Sequence, residues 1–109
     1  MKLGRLIWLT VASAILALPL GAYAQDATLM GTIRDNTGGV LPGVTVTATN
    51  EAAGTTFVAV TDESGVYRIP VRAGVYRVSA ELSGFATVVR PNVEILLGRQ
   101  IALNLEMGV

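Results

Sequence analysis

Asp62 and Glu63 are the chain's one adjacent pair of carboxylates, set in Thr61-Asp62-Glu63-Ser64-Gly65. Two carboxylates can share acid–base work, and Asp35 from an earlier turn could join Asp62 around a calcium ion. The spacing carries none of the regularity of a calcium-binding loop. An aspartate three residues before a glycine is instead the pattern of a side chain capping its own turn, with Glu63 left to solvent. The 109 residues contain neither histidine nor cysteine. That removes the commonest general base, the thiolate nucleophile and the usual zinc ligands. The sequence therefore assigns no catalytic, cofactor-binding or metal-ligating residue and implies no cofactor, so the chain reads as a non-enzyme.

Two other sets of side chains could recognise a ligand. Phe57, Tyr67, Tyr76 and Phe85 could stack on a sugar ring if their faces were open. Alternation turns both tyrosines inward, where they read as core with their hydroxyls bonded near the sheet rim. An exposed Phe57 or Phe85 would favour carbohydrate binding. Arg68, Arg77, Arg90 and Arg99 fall on outward faces or turns. There they read as solvated charges that guard strand edges, in preference to a patch for an acidic partner.

These residues need a pleated scaffold to hold them. Ala27 to Arg34 alternates Leu29, Gly31 and Ile33 with Met30, Thr32 and Arg34, the period of a strand with one face buried. Asp35 to Gly43 is a loop with two punctuations. Val44, Val46 and Ala48 then alternate with Thr45, Thr47 and Thr49. In the strand from Thr55 to Thr61, Phe57 and Ala59 compete with Val58 and Val60 for the core. A turn at Asp62 and Gly65 leads into Val66 to Ile69, and Pro70 predicts a stop or an edge. Gly74 opens a strand with Tyr76, Val78 and Ala80 on one side. Ala86 to Val89 reads as a short strand, Pro91-Asn92 interrupts, Val93 to Leu97 reads as an edge strand or a loop, and Gln100 to Met107 reads as the last strand. About seven strands with turn signals every eight to twelve residues and no helical pattern in the mature chain predict a two-sheet β-sandwich.

Met1 to Ala24 has the layout of a signal peptide: Lys2 and Arg5, an apolar run from Leu6 to Leu18, and Ala22-Tyr23-Ala24 before Gln25. That run is short of the roughly 20 residues that cross a bilayer. Removing those 24 of 109 residues leaves 85 as the domain, residues 25–109. Without Lys2 and Arg5, six basic residues stand against eight acidic ones. A mildly acidic domain has no steering toward nucleic acid or anionic membranes, and no transmembrane segment is expected in the mature chain. An exported domain without cysteine must hold by packing alone.

Five motifs in order, Gly31 to Asp35, Gly38 to Val44, Thr61 to Tyr67, Gly74 to Tyr76 and Gly84-Phe85, resemble those of the carboxypeptidase regulatory-like domain. The resemblance implies a prealbumin-like, transthyretin-type fold, a seven-stranded antiparallel Greek-key β-sandwich with no peptidase activity. A signal peptide followed directly by such a domain resembles the start of an Oar-like TonB-dependent outer-membrane receptor, and Leu105 to Val109 is similar to the linker leading out of it. The expected role is a non-catalytic accessory or interaction domain, periplasmic or outer-membrane associated, whose partners are periplasmic proteins or receptor domains. It is either the N-terminal extension of a receptor, a fragment of one, or a free-standing periplasmic module. The alternative is a carbohydrate-binding module of the starch-binding-like sandwich type.

Overall fold

In the computed structural model of the protein, residues 27–109 are described. The expected signal at 1–24, with Trp8, lies outside them. Eight strands follow in order: β1 (Ala27–Asp35), β2 (Thr45–Asn50), β3 (Thr55–Val60), β4 (Val66–Val71), β5 (Gly74–Glu81), β6 (Val88–Ile95), β7 (Gln100–Ala102) and β8 (Leu105–Met107). One sheet runs β4-β1-β7, with β8 also paired to β1, and the other runs β3-β2-β5-β6. The expected all-β sandwich is present.

Its core is the side chains that the alternation turned inward. Leu29 and Ile33 on β1, Tyr67, Ile69 and Val71 on β4, and Leu105 and Met107 on β8 face Val46 and Ala48 on β2, Tyr76, Val78 and Ala80 on β5, and Ile95 on β6. No helix among the described residues is long and apolar enough to cross a membrane.

The competition in β3 is decided by pairing. Phe57 stands opposite Ala48 and Ala59 opposite Val46, both fully buried. Phe57 and Ala59 therefore share the inner face, while Val58 and Val60 remain 59% and 58% exposed. Pro70 does not end β4, because β4 is an edge strand and its outer side needs no donor at that position.

Three expectations are corrected. Pro91-Asn92 does not divide two strands, since β6 runs through it as the edge of its sheet. The ladder passes from Tyr76 opposite Val93 to Val78 opposite Arg90. Pro91 and Asn92 thus oppose Arg77 alone, a bulge that absorbs the missing donor, with Asn92 at φ 58°. The last strand is two, β7 and β8, broken at Leu103-Asn104, and the described residues hold eight strands where about seven were expected. Finally, the sandwich is not purely antiparallel. Both β7 and β8 run parallel to β1, whereas β4 runs antiparallel to it.

The break is a local twist of one strand's backbone. Thr28 faces Gln100 and Ile33 faces Leu105 in the same register, so no residue is inserted. At the gap the Leu103 carbonyl turns in over Gly31, occupying the space where a Cβ would stand. The Tyr67 hydroxyl donates to that carbonyl at 2.6 Å. The Thr32 N–H, deprived of a backbone acceptor, donates to Asn104 Oδ1 at 2.9 Å. A methyl group at Gly31 would collide with backbone, which cannot move aside as a side chain can. Gly31→Ala is expected to lower the unfolding free energy by about 1–3 kcal/mol, the usual cost of overpacking. Urea denaturation checks this, and an unchanged midpoint would contradict the close approach.

Candidate functional site

The polar side chains singled out by chemistry are spent on turns. Asp62 Oδ1 accepts from the Ser64 N–H at 2.8 Å and the Val66 N–H at 3.0 Å. Gly65, at φ 74°, closes the turn, and its carbonyl accepts from the Ile33 N–H at 2.8 Å. A Cβ on Gly65 would meet the Ile33 carbonyl and Val40 at 2.9 Å. The turn is therefore seated on the end of β1. Glu63 is exposed at its tip.

Asp35 works the same way in its own turn. Its Oδ1 accepts from the Thr37 hydroxyl at 2.6 Å, the Thr37 N–H at 2.9 Å and the Gly39 N–H at 3.0 Å. The Thr37 hydroxyl above all, with the turn amides, holds the carboxyl below its ordinary value against an opposing desolvation. Asp35 and Asp62 thus turn to separate sets of donors. Among the described residues, no three acidic, histidine or cysteine side chains gather as a metal-binding group would require.

Thr61 is a structural residue whose role sequence reading missed. It is the one buried polar side chain among the described residues. Its hydroxyl donates to the Leu41 carbonyl at 2.7 Å and accepts from the Val44 N–H at 2.9 Å. Its own N–H donates to the Val44 carbonyl at 2.9 Å, and its carbonyl accepts from the Gly43 N–H at 3.1 Å. One residue so anchors the Leu41-Pro42-Gly43-Val44 loop. The only signal was its place ahead of Asp62, which also suits a strand end.

Among the described residues, the aromatic side chains form no open platform. Tyr67 and Tyr76 are buried, and Tyr76 donates its hydroxyl to the Arg72 carbonyl at 2.9 Å. Phe57 packs on Tyr76 with ring centroids 6.1 Å apart and planes tilted by 60°. Phe85 is half-buried against the core. Burial pushes the Tyr67 phenol from its ordinary 10.0 up to about 12.

Arg68, Arg77, Arg90 and Arg99 are all exposed, on β4, β5, β6 and the turn before β7. Arg90 joins Arg34, Thr32, Asn104, Leu105 and Glu106 around a shallow cleft of about 310 Å³. Arg77 lines a second hollow of about 270 Å³ with Glu51, Ala52, Val75, Tyr76 and Asn92. Both are open to water, where single ion pairs contribute little. What the surface offers instead is strand edge.

The family model for the carboxypeptidase regulatory-like domain matches residues 28–108. No curated protein sequence matches the chain at a significant level. Among solved structures, a chain of a type II cohesin–X–dockerin complex from Acetivibrio cellulolyticus superposes with a TM-score of 0.61 at 29% identity, covering 74% of this chain and 56% of that one. The Bacillus anthracis TIE protein gives a TM-score of 0.64 at 19% identity, over 77% of this chain and 16% of that one. A Bacteroides uniformis protein named for a suspected role in carbohydrate binding gives 0.61 at 20% identity, over 76% and 41%. At those two lower identities the likeness is one of fold. The chain thus spans 56% or less of the length of these three structures.

Two tests follow from this geometry. Thr61→Val keeps the shape but strands the Leu41 carbonyl and the Val44 N–H in the core. It is expected to cost about 1–3 kcal/mol, and a melting temperature equal to the parent's would show the clamp to be idle. For Tyr67, the folded pKa lies above the unfolded one. The stability held by the neutral phenol is therefore complete below pH 10.0 and is lost as pH rises through about 12. Urea midpoints measured across that window should fall for the parent and stay flatter in Tyr67→Phe.

Proposed function

The chain belongs to the carboxypeptidase regulatory-like domain family, and from that premise we propose that it is an exported, non-catalytic interaction domain forming the N-terminal extension of a TonB-dependent outer-membrane receptor. The observation that carries the non-catalytic role is the engagement of Asp35, Asp62, Thr61 and Tyr67 in hydrogen bonds that close the fold. No histidine or cysteine is present to act in their place.

Export is supported by the basic start, the short apolar run and the Ala22-Tyr23-Ala24 site, which end just ahead of β1 at Ala27. A role as one module of a larger protein is supported by the longer chains of the similar structures. The type II complex from Acetivibrio cellulolyticus supports contact with another protein as the kind of work this sandwich does. Sugar binding is the weaker reading, because the aromatic rings that would stack on a ligand are packed on one another or on the core.

In a Gram-negative host the chain should be recovered with Gln25 as its first residue, in the periplasmic or outer-membrane fraction. N-terminal sequencing of fractionated cells checks this, and an uncleaved cytoplasmic chain would overturn the assignment. Calorimetric titration of residues 25–109 with starch oligosaccharides should show no heat of binding. Saturable binding would move the assignment to the carbohydrate class.

A further inference from the structure

We propose that β3 is a docking edge at which two copies of this sandwich join their sheets across a two-fold axis. This rests on the reading of the chain as an interaction domain and names the surface and the partner.

An open sheet edge templates further pairing unless it is blunted. Three of the edges here carry such devices. β4 has Arg68 and Pro70, β6 has Arg90, Pro91 and a bulge, and β7 and β8 are three residues each with a break between them. The remaining edge, β3, reads Thr55-Thr56-Phe57-Val58-Ala59-Val60. It has no charge, proline or glycine, its six residues pair with β2 without interruption, and Val58 and Val60 are more than half exposed.

The open backbone groups can be placed. Thr61 exchanges its hydrogen bonds with Val44 and Gly43, on the β2 side. Groups alternate along an antiparallel ladder, so Phe57 and Ala59 bond toward β2, while Thr56, Val58 and Val60 turn their N–H and C=O groups to the free edge.

A second copy fits that edge. With Val58 on a two-fold axis, Val58 of one copy faces Val58 of the other, and Thr56 faces Val60, closing about six backbone hydrogen bonds. On the outer face this sets β-branched side chains opposite one another. On the inner face Phe57 of each copy falls opposite Ala59 of the other, large against small. No like charges meet. The pairing also ends itself, because the joined sheet runs β6-β5-β2-β3 and then β3-β2-β5-β6, and both new ends are the bulged, proline-bearing β6. An unrelated extended segment could fill the same hydrogen bonds but would meet none of this matching by necessity.

Sedimentation velocity on residues 25–109 over a wide concentration range tests the proposal. The parent should shift from monomer to dimer and go no further. Val58→Lys sets two ammonium groups across the axis and should raise the dimer dissociation constant about tenfold or more. At concentrations where the parent is monomeric, the variant's melting temperature should stay close to the parent's, since Val58 is 59% exposed. Val60→Lys should act in the same direction. Val75→Lys adds the same charge at a residue 52% exposed near the β6 side and should leave the dimer intact. A parent monomeric throughout, growth past dimer, or a Val58→Lys protein that dimerises as the parent does would each overturn self-pairing. None of these outcomes bears on recovery of the chain with Gln25 first, so the two readings fail separately.

Discussion

The sandwich depends on one close approach, where the Leu103 carbonyl lies over Gly31 and receives the Tyr67 hydroxyl. β1 sits between β4 on one side and β7 and β8 on the other. Tyr67 comes from β4 and reaches across Gly31 to Leu103. Three consecutive strands of one sheet are thereby tied by a single buried phenol as well as by their ladders. The absence of a Cβ at Gly31 lets the ring and the carbonyl meet there. In a sheet without disulfides, such side-chain ties across strands add to the constraint that packing imposes.

The same economy governs the turns. Asp35 and Asp62 each satisfy amides of their own loops, and Thr61 satisfies both a donor and an acceptor of the Leu41 to Val44 loop. A buried backbone group left unpaired is costly, so a thin core gains more from each such contact than a thick one does. The consequence for function is direct. Asp35 Oδ1 and Asp62 Oδ1 are engaged by donors of their own turns, so side chains that looked chemical in the sequence help to hold the fold.

What remains for contact with other molecules is the periphery of a carboxypeptidase regulatory-like domain. Among the described residues, Arg68, Arg77, Arg90 and Arg99 are exposed, the clefts are shallow, and the tyrosine rings are buried. Edges differ among themselves, because three are short, bulged or proline-bearing and β3 is none of these. Recognition through main-chain hydrogen bonds needs little beyond an unguarded strand of alternating side chains. That makes β3 the part of the surface with the most to gain from a partner.

Alternation alone determined the layers of this protein. Val44 to Ala48, Tyr76 to Ala80 and Leu105 to Met107 bury the residues their two-residue period named, since one face of a pleated strand must leave water. Turn chemistry at Asp62 and Gly65 was equally legible, being local. Facts that depend on neighbours were not. The facing of β3 was open until Ala48 and Val46 stood opposite Phe57 and Ala59. The continuity of β6 through Pro91 needed an edge position and a bulge opposite Arg77. The parallel course of β7 and β8 and the break at Leu103 needed β1 and its glycine alongside. A strand's sequence states which side chains avoid water, but its partner, direction and edge status come from contacts between residues far apart in the chain. Only the folded arrangement decides them.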